Sequence, residues 1–400
     1  MRLLLDDHNT KGLDPILAAL NAHPNIEVRL FNPFKHRKMR ALGFLTDFSR
    51  ANRRMHNKSF TADGQLTILG GRNVGDEYFG ATDGVLFADL DALVAGPVVR
   101  DVSEDFDRYW ASDSSHPADL ILPQVSVTYL QSLVAAASLM ERDPAAEAYV
   151  EAIRDSEFIR RLFEQRLELE WAPARLVSDD PGKGLGRAAP EALLPHQLQE
   201  IIGSPHHHLE LVSPYFVPTR SGVEAFTALR KKGVEIRVLT NSLDATDVFP
   251  VHSGYAKWRR KLLQAGVELY EMRRHGPGTE QGAKSGLFGS SGSSLHAKTF
   301  AVDNQRVFIG SFNFDPRSGS LNTELGLVIE SPYLATQLHT LFARAIPGAA
   351  YEVRLDASGR LYWLDRSGAE EIRHDREPGT GLLSRGVLNV LSWMPIDWLL

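Results

Sequence analysis

The chain has 400 residues, of which 43% are hydrophobic and 24% are charged, and its formal net charge is −6. These values are typical of globular protein, and the negative charge argues against a polycation that binds nucleic acid. The sequence contains no cysteine, which excludes disulfides and thiolate sites. No apolar window of about 18 residues predicts a transmembrane helix.

The first part of the chain is predicted to alternate strands with helices. Short apolar or alternating runs predict strands at Met1–Asp6, Ile26–Phe31 and Gln65–Gly71. One helix is predicted at Gly12–Pro24, where apolar residues have helical spacing, and another from Ser103, a capping residue before an acidic turn.

The strand at Met1–Asp6 is similar to a later strand at Glu235–Asn241. The later strand is preceded by a strand at Leu209–Tyr215 and a helix at Ser221–Lys232, whereas the first strand has no counterpart of either. We therefore expect an N-terminal extension in the natural protein. The alternative is a first repeat that is simply shorter.

The remainder of the chain continues the alternation. Its clearest helical stretch is Asp143–Leu167, and Leu167–Arg187 is predicted as a strand followed by a loop. An amphipathic helix is predicted at Gly254–Gly266, ending at its glycine. The Gly/Ser-rich segment His275–Ser294 has the composition of a mobile segment, and its position makes it a candidate lid.

An HxKxxxxD pattern occurs twice, with an offset of 240 residues. Its two copies consist of His56, Lys58 and Asp63, and of His296, Lys298 and Asp303. At the same offset, each copy is followed by a glycine-led turn that ends in Asn73 or in Asn313. This agreement indicates an internal duplication, and what it preserves is a set of polar residues rather than a core pattern.

The duplicated pattern resembles the phospholipase D superfamily, in which two such motifs build one active site. The surrounding sequence is similar to the bacterial cardiolipin synthases, and most to their C type, over nearly the whole chain. The segments that carry this similarity are Arg29–Phe34, Asn52–Phe60, Gly70–Phe79, Ser294–Asp303 and Gly310–Ser318. The resemblance implies a duplicated phospholipase D-like αβ sandwich whose repeats are related by a pseudo-twofold axis and form one active site. The alternation of strands and helices independently favours a layered α/β fold.

The duplication also predicts how the chain divides. Residues 1–111 form the first repeat, which we expect to be incomplete at its N-terminus, and residues 112–167 form a helical connector. Residues 168–350 form the second repeat. Residues 351–400 form a C-terminal tail with a candidate membrane-interface helix.

The residue types of the two motifs suit the transfer of a phosphodiester. Residues two apart on a strand share a face, so each histidine would point to the same place as its lysine. One neutral histidine can attack phosphorus while the other protonates the departing alkoxide, and the lysines and asparagines can stabilise the phosphate oxygens. Because the lysines supply positive charge, we expect no metal and no other cofactor. The family's usual order makes His56 the nucleophile and His296 the acid.

Other polar residues near the motifs have predicted supporting roles. Ser311 is a candidate donor to the phosphate, together with the two asparagines. Asp63 and Asp303 are expected to brace the strand and turn rather than to contact substrate. The resemblance implies that acidic residues orient the histidines, and it matches Asp89 with Glu324.

Several further residues are candidates for the site or for the core. The run His206–His208 is predicted to be a solvated turn rather than a metal site, because successive residues cannot easily ligate one ion. His252 and His275 are predicted near the mouth of the site without a role. Four aromatic residues near the motifs are predicted to lie in the core: Phe60, Phe79, Phe300 and Phe314.

The leading functional interpretation is a phosphatidyl transferase that makes cardiolipin from phosphatidylglycerol and a second phospholipid through a phosphohistidine. The C-type resemblance implies phosphatidylethanolamine as that second lipid. One alternative is a hydrolase with the same chemistry, either a phospholipase D or a nuclease, although no nucleic-acid partner is expected. Another is a non-catalytic lipid-binding protein, which two intact motifs disfavour.

Two stretches suggest a peripheral position on the cytoplasmic face of the cytoplasmic membrane. Phe31–Leu45 places Lys35, Arg37, Lys38 and Arg40 among apolar residues, which is typical of contact with an anionic membrane surface. Leu382–Leu400 contains Trp393, Trp398 and bulky aliphatic residues, but an ordinary helix packed on the core explains it equally well. A small accessory protein partner is left open.

Overall fold

The structure, a computed structural model, describes residues 1–75, 78, 86–140, 142, 144–164, 166–274 and 293–394. The strands are β1 (Arg2–Asp6), β2 (Glu27–Phe31), β3 (Ser59–Ala62), β4 (Leu66–Gly70), β5 (Leu86–Ala88), β6 (Asp91–Ala95), β7 (Ser115–Pro117), β8 (Ala174–Ser178), β9 (His208–Val212), β10 (Glu235–Asn241), β11 (Glu268–Met272), β12 (Ser293–Leu295), β13 (Thr299–Val302), β14 (Arg306–Gly310), β15 (Leu325–Ile329), β16 (Ala350–Leu355), β17 (Leu361–Asp365) and β18 (Ile372–His374).

The α-helices are α1 (Asp14–Asn21), α2 (Arg40–Thr46), α3 (Phe48–Ala51), α4 (Val98–Trp110), α5 (Val127–Met140), α6 (Pro144–Arg154), α7 (Glu157–Phe163), α8 (Leu194–Ile202), α9 (Thr219–Lys231), α10 (Phe249–Ala256), α11 (Arg259–Gln264), α12 (Pro316–Ser320), α13 (Pro332–Arg344), α14 (Ile346–Ala349) and α15 (Leu382–Trp393). Within the described ranges, no helix is long and apolar enough to span a bilayer.

The described residues group into two compact units. The first consists of Met1–Met55 and Arg108–Ala172, and the second of His56–Asp107 and Pro173–Leu400. The first repeat therefore contributes residues to both units. The division into 1–111, 112–167, 168–350 and 351–400 follows the repeats rather than these units, and it stays a prediction.

The first unit is built on a sheet of three strands. β1 runs parallel to β2, and β7 runs antiparallel to β2. Its core is a small set of apolar side chains from the sheet and from the adjoining helices: Leu17, Val28, Leu30, Ala118 and Leu122. The helical stretch predicted at Asp143–Leu167 is two helices, α6 and α7, and Ser156 caps the second by accepting the amide N–H of Ile159 at 3.3 Å.

Two of the four basic residues predicted to bind lipid form ion pairs inside this unit, whereas Lys35 and Lys38 are exposed. Asp7 is buried and forms ion pairs with Arg37 and, at 3.7 Å, with Arg40. Arg40 also donates to the backbone oxygens of Asp7 and His8 at 2.8 and 3.0 Å. The sequence predicted that Arg37 and Arg40 contact lipid phosphates. In the structure they are instead paired with Asp7. The apolar residues around the two arginines in the sequence gave no indication that both would pair with the buried Asp7.

The second unit contains a ten-stranded sheet in the order β18-β17-β16-β11-β10-β9-β13-β14-β15-β8. Strands β9, β10 and β11 are parallel, and the other neighbours are antiparallel. Alternate residues of β9 face opposite sides, so Leu211 joins a core with α8, α9 and α11, whereas Val212 joins one with α13 and α14. Helices on both faces of a sheet confirm the predicted αβ sandwich.

The first-repeat strands of this unit form smaller sheets. β3, β4 and β6 make an antiparallel sheet, and β5 pairs in parallel with β12. Leu69 of β4 shares a buried cluster with Leu325 and Leu327 of β15, so strands from both repeats pack in one core.

The two repeats differ in how their first motif strand is covered. In the second repeat, β13 pairs with both β9 and β14, whereas among the described strands β3 pairs with β4 alone. Phe300 of β13 is buried in the core with α8, α9 and α11, but Phe60 of β3 is 66% exposed. The prediction of a core position was wrong for Phe60, right for Phe300 and partly right for half-buried Phe314, and Phe79 lies outside the described residues.

Two predicted helices differ from those in the structure. The helix expected to open at Ser103 begins at Val98, directly after Pro97, and the Ser103 hydroxyl donates to the carbonyl of Val99 at 2.9 Å inside the helix. The helix expected at Gly254–Gly266 is interrupted between α10 and α11. Its end was correctly placed, since Gly266 has a φ of +87°.

Asp303 joins the end of β13 to the start of β9. Its carboxylate accepts hydrogen bonds from the backbone amides of His206, His207 and His208, at distances between 2.6 and 3.1 Å. Asp63, its counterpart, is exposed and makes no such bond among the described residues. The two aspartates share a left-handed backbone, with φ of 55° and 51°.

Replacing Asp303 with alanine should destabilise the second unit, because the amides of His206, His207 and half-buried His208 would lose their common acceptor. We expect a loss of about 1–3 kcal/mol, seen as a melting temperature lower by several degrees. Asp63→Ala is the matched control, since it carries the same cost of placing alanine at positive φ without losing those bonds. Equal melting temperatures for the two variants would contradict this role for Asp303.

Candidate active site

The two motifs lie just before equivalent strands of the second unit. His56 and Lys58 precede β3, and His296 and Lys298 precede β13. The sequence had placed each pair on a strand, but these residues are extended connections rather than strand. The pairs still stay together, because Lys58 Nζ donates to the His56 carbonyl at 2.7 Å and Lys298 Nζ lies 3.1 Å from His296 Nε2.

His56 is held by residues of the second repeat. Its backbone N–H donates to the carbonyl of Thr323 at 2.9 Å, and its Nδ1 lies 2.8 Å from Oε2 of Glu324. A carboxylate only accepts, so a neutral imidazole in this contact carries its proton on Nδ1. In that tautomer the lone pair of the imidazole is on Nε2.

His296 is held in the same way by residues of the first repeat. Its backbone N–H donates to the carbonyl of Ala88 at 2.8 Å, and its Nδ1 lies 2.6 Å from Oδ2 of Asp89. The parallel pairing of β5 with β12 brings these residues together. Each histidine thus takes its orientation from a carboxylate in the other repeat, and the two sets of bonds are related by the pseudo-twofold symmetry.

Burial sets the charge of the His296 pair. The pKa of His296 is lowered to about 3, by burial and then by the neighbouring Lys298, which outweigh Asp89. The pKa of fully buried Lys298 is lowered to about 8 by burial, against the attraction of Asp89 and Glu324. His296 is therefore neutral at physiological pH, while Lys298 keeps most of its charge.

The His56 side of the site is different. His56 is half-buried, and burial raises the pKa of its partner Glu324 to about 7, although Lys58 opposes this shift. Hydroxyls of Ser311 and Ser318 both donate to the Glu324 carboxylate. The pKa of Glu324 therefore lies near neutral pH.

Behind Glu324 lies a buried ion pair that sequence reasoning missed. Asp179 accepts the backbone N–H of Glu324 at 2.9 Å and the Lys183 ammonium at 2.8 Å. Lys183 also donates to the carbonyl of Ser318 at 2.8 Å. A lysine in a Gly/Pro-rich loop gives no sequence signal for this placement, because the loop is far from both motifs along the chain.

A tyrosine also reaches the site. The hydroxyl of Tyr78 accepts a hydrogen bond from Nδ2 of Asn73 at 2.7 Å and lies 3.4 Å from Nε2 of His296. Asn313, the counterpart of Asn73, is buried, and its Oδ1 has no hydrogen-bond partner among the described residues. Tyr78 follows Asn73 by five residues, and only that closeness in sequence could have suggested that Tyr78 lies at the site.

Two further sequence predictions concern the surroundings of the site. His252 is buried in a polar cluster in which it contacts Arg259 and lies 3.7 Å from Glu377, so it belongs to the core rather than to a mouth. Most of the candidate lid His275–Ser294, including His275 itself, lies outside the described residues, and so does Trp398. The described side chains around the two motif histidines include no cluster with metal-ligand spacing.

Comparison with known proteins identifies the family. A family profile described as "Cardiolipin synthase, PLD-like domain" matches residues 198–346. Cardiolipin synthase C of Escherichia coli (strain K12) is 50% identical over 403 residues, an alignment that covers 100% of this chain and 84% of that protein. Cardiolipin synthase A of Pseudomonas entomophila (strain L48) is 28% identical over 295 residues, an alignment that covers 73% of this chain and 47% of that protein.

A solved structure shares the fold. The phosphatidylserine synthase of Haemophilus influenzae Rd KW20 superposes with a TM-score of 0.58 at 13% identity, covering 100% of this chain and 83% of that one. Two motif copies, the reciprocal histidine–carboxylate pairs and the half-identical relative lead to the same assignment. The chain belongs to the cardiolipin synthase family of the phospholipase D superfamily.

Proposed function

We propose that this protein is a phosphatidyltransferase that makes cardiolipin. It would move a phosphatidyl group from one phospholipid to a hydroxyl of phosphatidylglycerol, with phosphatidylethanolamine as the donor. The observation that carries the proposal is the pair of histidines whose Nδ1 atoms are fixed by Glu324 and Asp89. With Nδ1 bound to a carboxylate, the Nε2 atom of each histidine is the one that would attack or transfer a proton, which is what a two-step displacement at phosphorus requires.

The proposed reaction has two steps. In the first, Nε2 of one histidine attacks phosphorus, the bond from phosphorus to the headgroup oxygen breaks, and the second histidine gives its proton to the departing alkoxide. In the second, the acceptor hydroxyl gives its proton to that second histidine and attacks phosphorus, and the phosphorus–nitrogen bond breaks. The first histidine is thereby released unchanged, and configuration at phosphorus is retained.

The charges of the free site favour His296 as the nucleophile. A nucleophile must be neutral, and the pKa of His296 is lowered to about 3 by its burial and by Lys298. The acid must begin protonated, which leaves that role to His56, whose Nδ1 lies 2.8 Å from the Glu324 carboxylate. This order is the reverse of the family order expected from sequence.

The remaining polar residues would act on the phosphate or on the histidines. Lys58 and Lys298 would offset the negative charge that develops on the phosphate oxygens, and Asn73 and Asn313 would donate to them. Ser311 had been expected to bind phosphate, but its hydroxyl donates to Glu324. We therefore assign Ser311 to holding that carboxylate in place.

Contact with a membrane surface is proposed for α15. Its buried side holds Leu388, while its outer side exposes apolar residues, with Trp393 91% exposed. A helix with one apolar side in water is stabilised when that side enters the interfacial region of a bilayer. Lipid substrates require the protein to reach a membrane, and we propose the cytoplasmic face of the cytoplasmic membrane.

The function is tested by incubating the purified protein with labelled phosphatidylglycerol in vesicles, with and without phosphatidylethanolamine, and identifying the products. We expect labelled cardiolipin and released ethanolamine. His56→Ala and His296→Ala should each lower turnover by about 10²-fold or more, because both histidines serve one site. His116→Ala, at an exposed histidine of β7, is the control. Phosphatidic acid as the main product would favour the hydrolase, and half activity in either variant would contradict a shared site.

The nucleophile is tested by rapid quenching of the enzyme with phospholipid that is radiolabelled at phosphorus. The label should be found on the peptide that contains His296, because its neutral Nε2 attacks first. Label on the peptide that contains His56 would restore the family order. Recovery of unlabelled protein throughout the first turnover would contradict a covalent intermediate.

Membrane contact is tested with Leu383→Gln, Val390→Gln and Trp393→Gln combined. Binding to vesicles that contain phosphatidylglycerol should weaken, because these exposed side chains supply the apolar area that enters the bilayer. A matched control replaces Val134 and Leu139, equally exposed residues of α5, with glutamine. Hydrolysis of a soluble short-chain phosphodiester should be unchanged in both. Unaltered vesicle binding by the α15 variant would exclude this helix as the contact.

A further inference from the structure

A second cluster of ionisable side chains lies away from the two motif histidines. It consists of His208 and Glu210 of β9 and His339 of α13, and their candidate ligand atoms all lie within 4.8 Å of one another. Residues two apart on a strand share a face, so His208 and Glu210 point to the same side of the sheet. His339 reaches that side from the helix, and the His208 and His339 rings lie edge to face with centroids 5.2 Å apart.

Glu210 is only partly satisfied in this cluster. Its side chain is 1% exposed, and Oε1 accepts from Arg237 at 2.9 Å, whereas Oε2 is buried without a hydrogen-bond partner among the described residues. Nδ1 of His208 is also buried without a hydrogen bond, although Glu235 lies 3.4 Å away. A buried polar atom without a hydrogen bond lowers the stability of the fold. Glu210 Oε2 and His208 Nδ1 are therefore candidates to bind a ligand together.

His339 makes two contacts that no single protonation state satisfies. Its Nδ1 lies 2.8 Å from Oε1 of Glu210 and 2.9 Å from Nη2 of Arg237. A protonated Nδ1 suits the carboxylate but opposes the guanidinium, which can only donate, and an unprotonated Nδ1 does the reverse. A different ligand on the His339 ring would remove this conflict.

We propose that His208, Glu210 and His339 bind a divalent transition-metal ion of the zinc type. Two imidazole nitrogens and one carboxylate oxygen form a ligand set that zinc uses with water in the fourth position. Oε2 of Glu210 would take the ion while Arg237 keeps its hydrogen bond to Oε1, as partners of metal-bound carboxylates commonly do. The proposal does not depend on the activity proposed above.

The site lies at the start of β9, away from the two motif histidines. His208 opens β9, and its amide and carbonyl are both hydrogen-bonded to Asp303, which follows β13. Lys298 lies before the other end of β13. A metal ion here would fasten α13 to the start of β9 and would lie too far along the strand to contact the reacting phosphate. His206 and His207 remain in the turn, so the three successive histidines are not the ligand set.

The test uses protein stripped of metal with a chelator and then titrated with zinc chloride by calorimetry. We expect one zinc ion per chain and a higher melting temperature with zinc. His339→Ala and Glu210→Gln should each weaken zinc binding by at least about 10-fold, because each removes a ligand. The double variant His206→Ala/His207→Ala is the control, since it removes neighbouring exposed histidines while leaving the cluster intact.

Cobalt(II) provides a measurement that does not depend on the variants folding well. The intact protein loaded with cobalt should show the intense visible absorption of a four-coordinate site, and His339→Ala should lose it. The proposal is overturned if His339→Ala and Glu210→Gln bind zinc as tightly as the parent, or if only the control double variant loses binding. A cobalt spectrum typical of the hydrated ion would overturn it as well.

Discussion

Hydrogen bonds between His56 and Glu324 and between His296 and Asp89 cross from one repeat to the other, and the arrangement of the site depends on them. In each case the backbone N–H of the histidine donates to the carbonyl of the residue just before the acidic one, Thr323 or Ala88. Backbone and side chain are therefore fixed by the same neighbouring segment. Each repeat thus orients the motif histidine of the other.

The same crossing fixes the charges of the site. The carboxylates must be buried to reach the histidines, and burial makes a charged group unfavourable unless it is paired. The pKa of Glu324 is raised to about 7, whereas Lys298 and His296 hold the pKa of Asp89 below its usual value against the effect of burial. The two carboxylates, at corresponding positions in the two repeats, thus have pKa values shifted in opposite directions.

The fold places these bonds through its sheets. Pairing of β5 with β12 brings Ala88 and Asp89 to His296, and packing of β4 against β15 joins first-repeat and second-repeat residues in one buried cluster. Behind Glu324, the Asp179–Lys183 pair ties the start of β15 to the loop after β8. No corresponding pair is found behind Asp89 among the described residues, so the support of the two carboxylates is less symmetric than the motifs themselves.

The sequence by itself determined the duplication, the two motifs, the family and the αβ sandwich, because these are properties of residue identity and spacing along the chain. Matching Asp89 with Glu324 was also within its reach. Only the tertiary structure decided that each carboxylate serves the other repeat's histidine, that Asp7 binds Arg37 and Arg40, and that His208 meets His339. The physical reason is that periodicity reports which way a side chain faces on its own element. Which distant element it meets depends on packing between segments that can lie more than 200 residues apart, as Asp89 and His296 do.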